Sequence, residues 1–503
     1  MVMKRLMYLL LLASLPLLVG CAKDNIVHVD LFDQDDSDDD INNTVFTQTV
    51  GVAFSTVGNA AVTGTNEDFQ VTVTGNDVTI VYSGDEYVMY ELSGTTSDGF
   101  FKLYSAKRQG ITLNGVDLTN KNGAAINVQG TTSEPAKGKR TFVVLNNNNS
   151  IHDGADYTDT PSGEDEKGTL FSEGQLIFSG NGTLTVGASG RSGIVSDDYI
   201  IIKEGAFDVT ITSNAYYDAD DKEYKSPAGV KSNDYFKMYG GSLDIAASGT
   251  GAKGISCDGN GYFKSGDVTV TVAGDNYDSS NDDKSAKGIK FEGDLLFSGS
   301  KVYVSSKHHE AIEAKDLITI SDGEVYGYSE ADDAINAGGD FTISGGLVFA
   351  RATRNDALDA NGNFYIKGGV VYAIGMGVVE MSIDANSEAG CRLYLTGGTL
   401  VALGNLEMGS SLTQSCYSTL SWAHNTWYGL TIGTTTYAFK TPSSGGTPLV
   451  VSGASVPVLC SGVSVTSGTS CFDDTFYLDA TLSGGIPVLL TPYNNGGGPI
   501  KVK

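Results

Sequence analysis

The chain contains little proline and few basic residues for its length. Among 503 residues there are 10 prolines, 2 tryptophans and 5 histidines, and 32 lysines and arginines stand against 60 aspartates and glutamates. So little proline excludes a disordered Pro/Gly polymer, although glycine is abundant at 64 residues. The net charge of −28 argues against nucleic acid as a partner, because its phosphates would be repelled.

Long apolar runs are also missing beyond the first twenty residues. Leu6–Val19 is apolar but too short to span a bilayer, and it ends in a bacterial lipobox, Leu18-Val19-Gly20-Cys21. Residues 1–20 are therefore predicted to be a lipoprotein signal peptide, with an ordinary signal peptide as the alternative. A lipid on Cys21 would be the membrane anchor, so we expect a lipid-anchored protein of the bacterial cell envelope, at the outer membrane or cell surface.

The six cysteines show no zinc-binding spacing. In an oxidising compartment, Cys460 and Cys471 are close enough in sequence to form a disulfide, and Cys391 and Cys416 are a second candidate pair. Cys257 lies in a strand-like run and is expected to be a small buried hydrophobe.

The chain does contain a repeat of 23 residues. Blocks that begin at Asp294, Leu317 and Asp340 have the same length and pattern, and a fixed period of this size indicates stacked units that cover each other's apolar faces. Short runs of Val, Ile, Tyr and Phe separated by Gly indicate strands. We predict an all-β chain: a right-handed parallel β-helix solenoid with about 23 residues per rung, plus a small C-terminal β region. The aligned columns are Phe297, Ile320, Ile343 and Ile366; Val302, Val325, Val348 and Val371; and Ile312, Ile335 and Leu358.

Four segments follow from the pattern along the chain. After the signal peptide, residues 21–44 form an acidic tether that should stay solvated. Residues 45–405 are the predicted solenoid and carbohydrate-binding domain. Residues 406–503 are predicted to be a C-terminal cap or a small β-domain, because an uncapped solenoid would expose its apolar end.

Three loops interrupt the repeat and should project from one side. They are Asn146–Lys167, Ser213–Pro227 and Ala273–Ala286. Tyrosine rings can stack on sugars, so the loop tyrosines are candidate carbohydrate-binding residues, or they pack the loops onto the strands. Trp422 and Trp427 are further candidates, or part of a C-terminal core. The loop candidates are Tyr216, Tyr217, Tyr224 and Tyr277.

A set of short motifs carries a family resemblance over residues 45–405. The motifs are Leu113-Asn114-Gly115-Val116, Gly168–Ser172, Gly180–Val186, Gly193-Ile194, Gly254-Ile255, Gly288-Ile289 and Gly397–Gly404. Together they resemble secreted β-helix proteins that bind carbohydrate, typified by a cellulose- and pectin-binding protein of a cellulolytic clostridium. The resemblance implies a pectate-lyase-like fold, calcium between rungs and polysaccharide binding without established catalysis.

Acidic residues recur at the same spacing of 23. Stacked strands lie about 4.8 Å apart, and unit charges at that distance repel by about 3–4 kcal/mol at a dielectric of 20. A calcium ion between rungs would offset this repulsion, and a solvated face is the alternative. The family's Asp-Gly-Ile turn is altered here, because alanine replaces its glycine in all three acidic repeats. The candidate calcium ligands are Glu310, Glu313, Asp333, Asn336, Asp356 and Asp359.

Three functions remain open at this stage. We favour a monomeric envelope lipoprotein that binds polysaccharide, with calcium, without catalysis. A polysaccharide lyase would need calcium and a lysine or arginine base. Lys231 and Lys290 align near the Glu313 position of the repeat, and Arg354 lies two residues before Asp356. An adhesin that binds another protein is the third alternative.

Overall fold

Short strands separated by glycine turns make up most of the chain, as its content of β-branched and aromatic residues favours. The computed structural model describes residues 36–131, 139–158, 160–161, 164–219, 221–278, 283–376, 381–407 and 411–493. The predicted signal peptide, Cys21 and the tether up to residue 35 lie outside the described residues. Within these ranges the helical elements are single 3-10 turns, and none is long and apolar enough to cross a membrane. They are Ser37–Asp39, Ile41–Asn43 and Ser387–Ala389.

Twelve of the described strands form one sheet, which we call sheet B. Its first pair is antiparallel, and every later pair is parallel. The strands are Phe69–Thr74, Asp77–Tyr82, Phe100–Tyr104, Ile126–Gln129, Gly168–Ser172, Ser192–Ser196, Ala228–Ser232, Lys253–Cys257, Ile289–Phe291, Ile312–Ala314, Ile335–Ala337 and Leu358–Ala360.

A second sheet, sheet A, contains 26 of the described strands. They are Gln48–Phe54, Ala61–Thr63, Val88–Thr96, Gln109–Thr119, Thr141–Asn146, Asn148–His152, Leu176–Gly180, Thr183–Ala188, Ile200–Ile202, Ala206–Ile211, Tyr235–Met238, Ser242–Ala247, Asn260–Phe263, Asp267–Val272, Leu295–Ser306, Ile318–Ser329, Phe341–Ile343, Leu347–Ala352, Phe364–Ile366, Val370–Ile374, Leu393–Leu395, Thr399–Leu403, Ser411–Leu412, Cys416–Thr419, Leu449–Ser452 and Thr491–Pro492.

The remaining described strands form a hairpin and a closed barrel. Tyr216–Asp218 and Glu223–Lys225 pair antiparallel within an inserted loop. The barrel closes four antiparallel strands near the C-terminal end of the chain. These strands are Trp427–Ile432, Thr435–Lys440, Val458–Cys471 and Phe476–Val488.

This topology corrects the predicted fold class. The chain is all-β, but the prediction of an open right-handed parallel β-helix solenoid is wrong. The described strands belong to two large sheets and a closed barrel, and antiparallel pairs occur at both ends of sheet A, as between Gln48–Phe54 and Ala61–Thr63 and between Thr399–Leu403 and Leu449–Ser452. A period of 23 residues reports which residues stack on each other, and it does not specify how sheets begin, end or close.

The aligned columns of the repeat do stack as neighbours. Phe297 pairs with Ile320, and Ile320 with Ile343. Ile312 pairs with Ile335, and the latter with Leu358. These side chains are 0% exposed. Each fully buried side chain of this size contributes about 1.5–3 kcal/mol, so the columns supply the main stabilising term of this region.

Recurrent glycines turn the chain between strands at Gly346 and Gly369 and within the strand Ile318–Ser329 at Gly323. Gly346 has φ of +72°, and a Cβ there would lie 2.8 Å from the carbonyl oxygen of Gly323. Gly323 and Gly369 have φ of +94° and +78° and are equally crowded by backbone. The repeat therefore keeps glycine where the chain is left-handed and closely packed against the preceding turn.

A second hydrophobic core joins the barrel to the outer face of sheet A. Phe349 and Tyr372 of sheet A belong to the same cluster as Tyr428, Phe439 and Phe476 of the barrel. Tyr372 and Phe439 have ring centroids 5.5 Å apart. The C-terminal strands thus cover an apolar part of the sheet that would otherwise face water.

The predicted disulfides are wrong, because neither Cys391 and Cys416 nor Cys460 and Cys471 are bridged. Cys460 and Cys471 both belong to the strand Val458–Cys471, where eleven residues of extended chain separate them by about 36 Å. A disulfide requires Cα atoms within about 7 Å. Cys257 is 1% exposed, which confirms the prediction that it is buried.

Candidate functional site

Sheet B carries a row of polar residues whose charge changes sign along the sheet. We call it the strand row, because its members lie at paired positions on successive strands. Successive members are directly paired, so about 4.8 Å separates neighbours. The row is Lys231, Ser256, Lys290, Glu313, Asn336 and Asp359.

Glu310 and Glu313 hold lysines. Lys287 lies 3.0 Å from Glu310 and also contacts Glu313, which is bound by Lys315 on its other oxygen. Burial opposes the charged form of Glu313, but the two lysines outweigh it and hold its pKa below the usual value. These two predicted calcium ligands therefore already have ammonium partners.

His309 forms an ion pair next to these carboxylates. Its Nδ1 lies 3.0 Å from Asp332 and also contacts Glu310. Burial lowers the pKa of His309, but Asp332 and Glu310 outweigh it and raise that pKa to about 9. Burial raises the pKa of Asp332, but His309 and Asn355 bring it down to about 2. The pair is therefore charged near neutral pH.

Asp333 lies among other acids and is 6% exposed. Its Oδ1 accepts the backbone N–H of Asp356 at 3.0 Å, and its Oδ2 accepts Nδ2 of Asn336 at 3.2 Å. Burial, followed by the charges of Asp359, Asp356 and Asp332, raises its pKa to about 9. Repulsion within the predicted acidic column is thus partly relieved by hydrogen bonds.

Three aspartates converge at the far end of the strand row. Asp356, Asp359 and Asp384 each place one carboxylate oxygen within 4.8 Å of the others. Two oxygens that share one calcium ion at about 2.4 Å can lie up to about 4.8 Å apart, so this set fits the ion. All three ligands are carboxylates, the donor type that calcium prefers. These residues could hold a calcium ion between them.

Sequence reasoning missed Asp384 and its neighbour Glu407. Bridges from Leu358 to Ile383 and from Ile383 to Leu406 extend the strand row to both acids. The signal was a repeated tetrapeptide, since Leu358-Asp359-Ala360-Asn361 recurs as Ile383-Asp384-Ala385-Asn386. A spacing of 25 residues hid it from a search at 23.

The predicted loop tyrosines come together from separate inserts. Tyr217 and Tyr224 face each other across the hairpin in Ser213–Pro227, with ring centroids 5.4 Å apart. Tyr224 also contacts Tyr277 of the insert Ala273–Ala286 at 4.7 Å. Tyr217 is 54% exposed. The three rings form a continuous aromatic surface, of which Tyr217 is the most exposed member.

The loop Asn146–Lys167 reaches the same surface through Arg191. The guanidinium of Arg191 lies 4.6 Å from the ring centroid of Tyr157 and 5.2 Å from that of Tyr216. Tyr157 belongs to the later part of the predicted loop Asn146–Lys167, whose earlier part contains the sheet A strand Asn148–His152. The prediction that the three loops share one side is confirmed. Arg191 was missed, because it lies in a short turn outside the inserts.

Lysines lie where the insert Ser213–Pro227 meets sheet B. Lys253 is 8% exposed and donates from Nζ to Oγ of Ser226 in that insert at 2.6 Å. Burial and then the charges of Lys290, Lys231 and other lysines lower its pKa to about 7. The loop surface therefore borders a group of ammonium groups, next to the carboxylates of the strand row.

The two tryptophans lie in the C-terminal region. Trp422 packs on the core shared with the barrel and donates from Nε1 to the carbonyl oxygen of Gly446 at 3.0 Å. Trp427 belongs to a barrel strand and contacts Tyr477 edge-on, with centroids 5.5 Å apart. Both are half-buried, so their role as sugar-binding residues stays a prediction.

Comparisons with known proteins identify a family. A family model described as a carbohydrate-binding domain-containing protein matches residues 74–334 and, in a second match, residues 228–377. No curated protein matches the sequence. Among solved structures, the gadolinium derivative of a polysaccharide lyase-like protein from C. thermocellum is similar at 20% identity and a TM-score of 0.38, over 59% of this chain and 96% of that one. At this level of similarity, none of that protein's properties transfers to this chain.

Proposed function

Because the chain belongs to the family of carbohydrate-binding domain-containing proteins, we propose that it binds polysaccharide on the surface formed by its inserted loops. The contact between Tyr224 and Tyr277 carries this proposal, since it joins rings from two separate inserts. Aromatic faces stack on the C–H faces of sugars, and the neighbouring acids of the hairpin accept hydroxyl groups. Tyr217, the most open ring of the group, would meet the sugar first.

Charged groups beside the loops favour a polysaccharide that carries carboxylates. Three lysines near the insert Ser213–Pro227 are buried or half-buried, namely Lys231, Lys253 and Lys290. Solvent screens their charge less there than at an open surface. A uronate carboxylate could pair with these ammonium groups while its ring lies on the tyrosines. A pectin-like chain has this combination, and a cellulose-like chain would use the tyrosines alone.

Calcium is the cofactor that we propose. Asp356, Asp359 and Asp384 would hold the ion, which would supply a positive charge that joins the acidic sheet to an acidic glycan. Glu310 and Glu313 bind lysines, so they would contribute through those lysines. Asp333 would shape the site through its hydrogen bond to the backbone of Asp356.

The lipobox supports a location at the cell envelope for this binding activity. A lipid on Cys21 would hold the protein at the cell envelope, at the outer membrane or the cell surface. Residues 21–35 would form the tether that keeps the binding surface away from the bilayer. The end of the predicted tether is instead folded, because Asp36 and Asp39 pair with Arg140 and Asp39 is 4% exposed. Mass spectrometry of the N-terminal peptide after membrane extraction would detect the diacylglyceryl group.

One observation favours a second function, that of a polysaccharide lyase. Lys253 has a pKa of about 7, the range in which an amine can act as a general base at neutral pH. In a lyase it would take the proton beside a uronate carboxylate. A carbon–carbon double bond would form as the glycosidic C–O bond breaks, and the leaving oxygen would gain a proton. New ultraviolet absorbance from polygalacturonate, lost in Lys253→Met, would establish this activity.

Binding to a polysaccharide panel tests the proposed function. We expect the protein to bind at least one plant or host polysaccharide in affinity electrophoresis, with weaker binding after chelation of calcium. Binding that resists the chelator would remove calcium from the proposal but retain the glycan. Failure to bind any member, with or without calcium, would contradict the proposal and favour an adhesin for a protein partner.

A further inference from the structure

The outer face of sheet A carries a second row of polar and aromatic residues, which we call the sheet A row. Each member pairs directly with the next across parallel strands. Most of its polar members are exposed. The row is Asp117, Ser150, Thr185, Asp208, Asp244, Thr269, Tyr303 and Tyr326.

Two grooves lie along this row. The first, about 630 Å³, is lined by Asp117, Ser150, Thr185 and Asp208. The second, about 450 Å³, is lined by Thr269, Tyr303 and Tyr326. Both follow the direction in which the strands stack, and Asp244 lies in register between them. The row that connects the two grooves, which we call the track, extends about 34 Å, from seven strand spacings of about 4.8 Å.

The barrel provides a wall at the aromatic end of the track. Phe472 packs on Tyr303 and Tyr326, each at 6.3 Å, and its backbone N–H donates to Glu324 at 3.1 Å. Asp473 then lines the second groove. The barrel turn at residues 472–475, which joins the strands Val458–Cys471 and Phe476–Val488, is thus fixed to sheet A.

The backbone of this barrel turn is left-handed at three successive residues. Phe472, Asp473 and Asp474 have φ of +53°, +51° and +59°, a left-handed conformation that residues other than glycine rarely adopt. A tight turn between antiparallel strands requires positive φ, and Asp adopts it more readily than most residues. Here it places a carboxylate beside two tyrosines.

We propose that the sheet A row is a second binding site, for a neutral polysaccharide chain that lies extended along the stacked strands. This inference rests on the proposed polysaccharide binding and adds a separate site to it. The strand spacing is comparable with the length of one sugar unit, so each strand can offer a hydroxyl or carboxylate to successive sugars. Tyr303 and Tyr326 would stack on the sugar at the aromatic end.

The charges of the track select a neutral chain. Aspartates border it, among them Asp117, Asp208, Asp244 and Asp473. Among the described residues that line the two grooves, one is a lysine, Lys301. A uronate polymer would be repelled by these carboxylates, whereas neutral hydroxyl groups donate to them. The loop surface beside the lysines of sheet B has the opposite preference, so the two sites would bind different glycans.

Substitutions in the track test this inference in the full-length protein. The probes are hydroxyethyl cellulose, xyloglucan and galactomannan as neutral chains and polygalacturonate as an anionic chain. We expect Thr269→Trp, which fills the groove, and the double variant Asp208→Ala with Asp244→Ala each to weaken binding of a neutral probe about 10-fold. Binding of polygalacturonate should change less than about 2-fold. Thr72→Trp, at an exposed threonine of sheet B, is the matched control and should leave both affinities unchanged.

The outcomes separate this site from the loop site. If a neutral probe binds wild type and the track variants equally, and Tyr217→Ala weakens that binding, the second site is overturned while the proposed function holds. If no probe binds wild type, both fail. If affinity for neutral oligosaccharides rises with chain length up to about 34 Å and then levels off, and Thr269→Trp abolishes that rise, the track is the site.

Discussion

Lys253 is a buried lysine surrounded by other lysines, and its charged form destabilises the fold. Its pKa is about 7 in the folded protein, against 10.5 for an ordinary lysine. Between these values the unfolded chain binds more protons than the folded one, so the contribution of Lys253 to the free energy of unfolding rises with pH. Each unit of pKa corresponds to about 1.4 kcal/mol, so the effect should be measurable.

Lys253→Met should therefore stabilise the protein at and below pH 7. It removes the buried charge and keeps the length of the side chain. We expect the stabilisation to shrink as pH rises from 7 to 10.5, as measured by urea denaturation of variant and wild type at each pH. Lys307→Met, at an exposed lysine, is the control and should show no such trend. A constant difference between Lys253→Met and wild type across this range would contradict the account.

Asp384 is the residue on which the calcium proposal depends most specifically. Asp384→Asn keeps the shape of the side chain and removes one charged ligand from the three-carboxylate set. We expect calcium affinity, measured by titration calorimetry, to fall by about 10-fold or more. Asp322→Asn, at an exposed acid of sheet A, should leave it unchanged. Equal calcium affinity in both variants would remove this site.

At the scale of strands and turns, the glycine turns fix the stacking of the repeat. Gly346→Ala puts a Cβ where φ is +72° and where the carbonyl oxygen of Gly323 lies 2.8 Å away. The left-handed backbone alone costs about 1–2 kcal/mol for a residue with a Cβ. We expect a loss of about 2–3 kcal/mol in the free energy of unfolding, since the contact with backbone adds to that cost.

Gly58→Ala is the matched control for this prediction. A Cβ at Gly58 meets no atom within 4 Å, and its φ is outside the left-handed region. Denaturant unfolding should show little change, within about 0.5 kcal/mol. If Gly346→Ala is as stable as Gly58→Ala, the turns do not constrain the stack as described.

The sequence predicted the stacked columns because their spacing is constant. It also predicted that the inserts share one side, because each interrupts the repeat at the same place. It could not show that Lys287 and Lys315 neutralise Glu313, because those contacts depend on side-chain directions in the fold. Asp384 was hidden by a longer turn, and Arg191 by its place outside the loops.

At the scale of the whole molecule, the local repeat was a poor guide to architecture. The period says nothing about Thr399–Leu403 pairing antiparallel with Leu449–Ser452, or about four C-terminal strands closing a barrel. Those features arise from apolar residues far apart in sequence, such as Phe349 and Phe472, whose rings lie 5.4 Å apart. Long-range burial of this kind leaves no periodic signal.

The two sheets give the molecule two chemically different surfaces. Sheet B and the loops combine lysines, a carboxylate cluster and tyrosines, and the outer face of sheet A combines hydroxyls and carboxylates with an aromatic end. A protein with both surfaces could bind more than one kind of glycan. We expect chelation of calcium to weaken glycan binding at the sheet B surface and to leave the sheet A row unaffected, because the proposed ion lies at the sheet B carboxylates.

The polysaccharide affinity of the double variant Tyr224→Ala with Tyr277→Ala, compared with that of wild type, shows whether the loop surface is the binding site. We expect a loss of at least about 10-fold for the glycan that wild type binds most tightly with calcium, since two stacking faces are removed. The free energy of unfolding should change little, because both rings lie in inserts outside the buried core. Unchanged affinity in a folded double variant would contradict the assignment of the loop surface as the polysaccharide site.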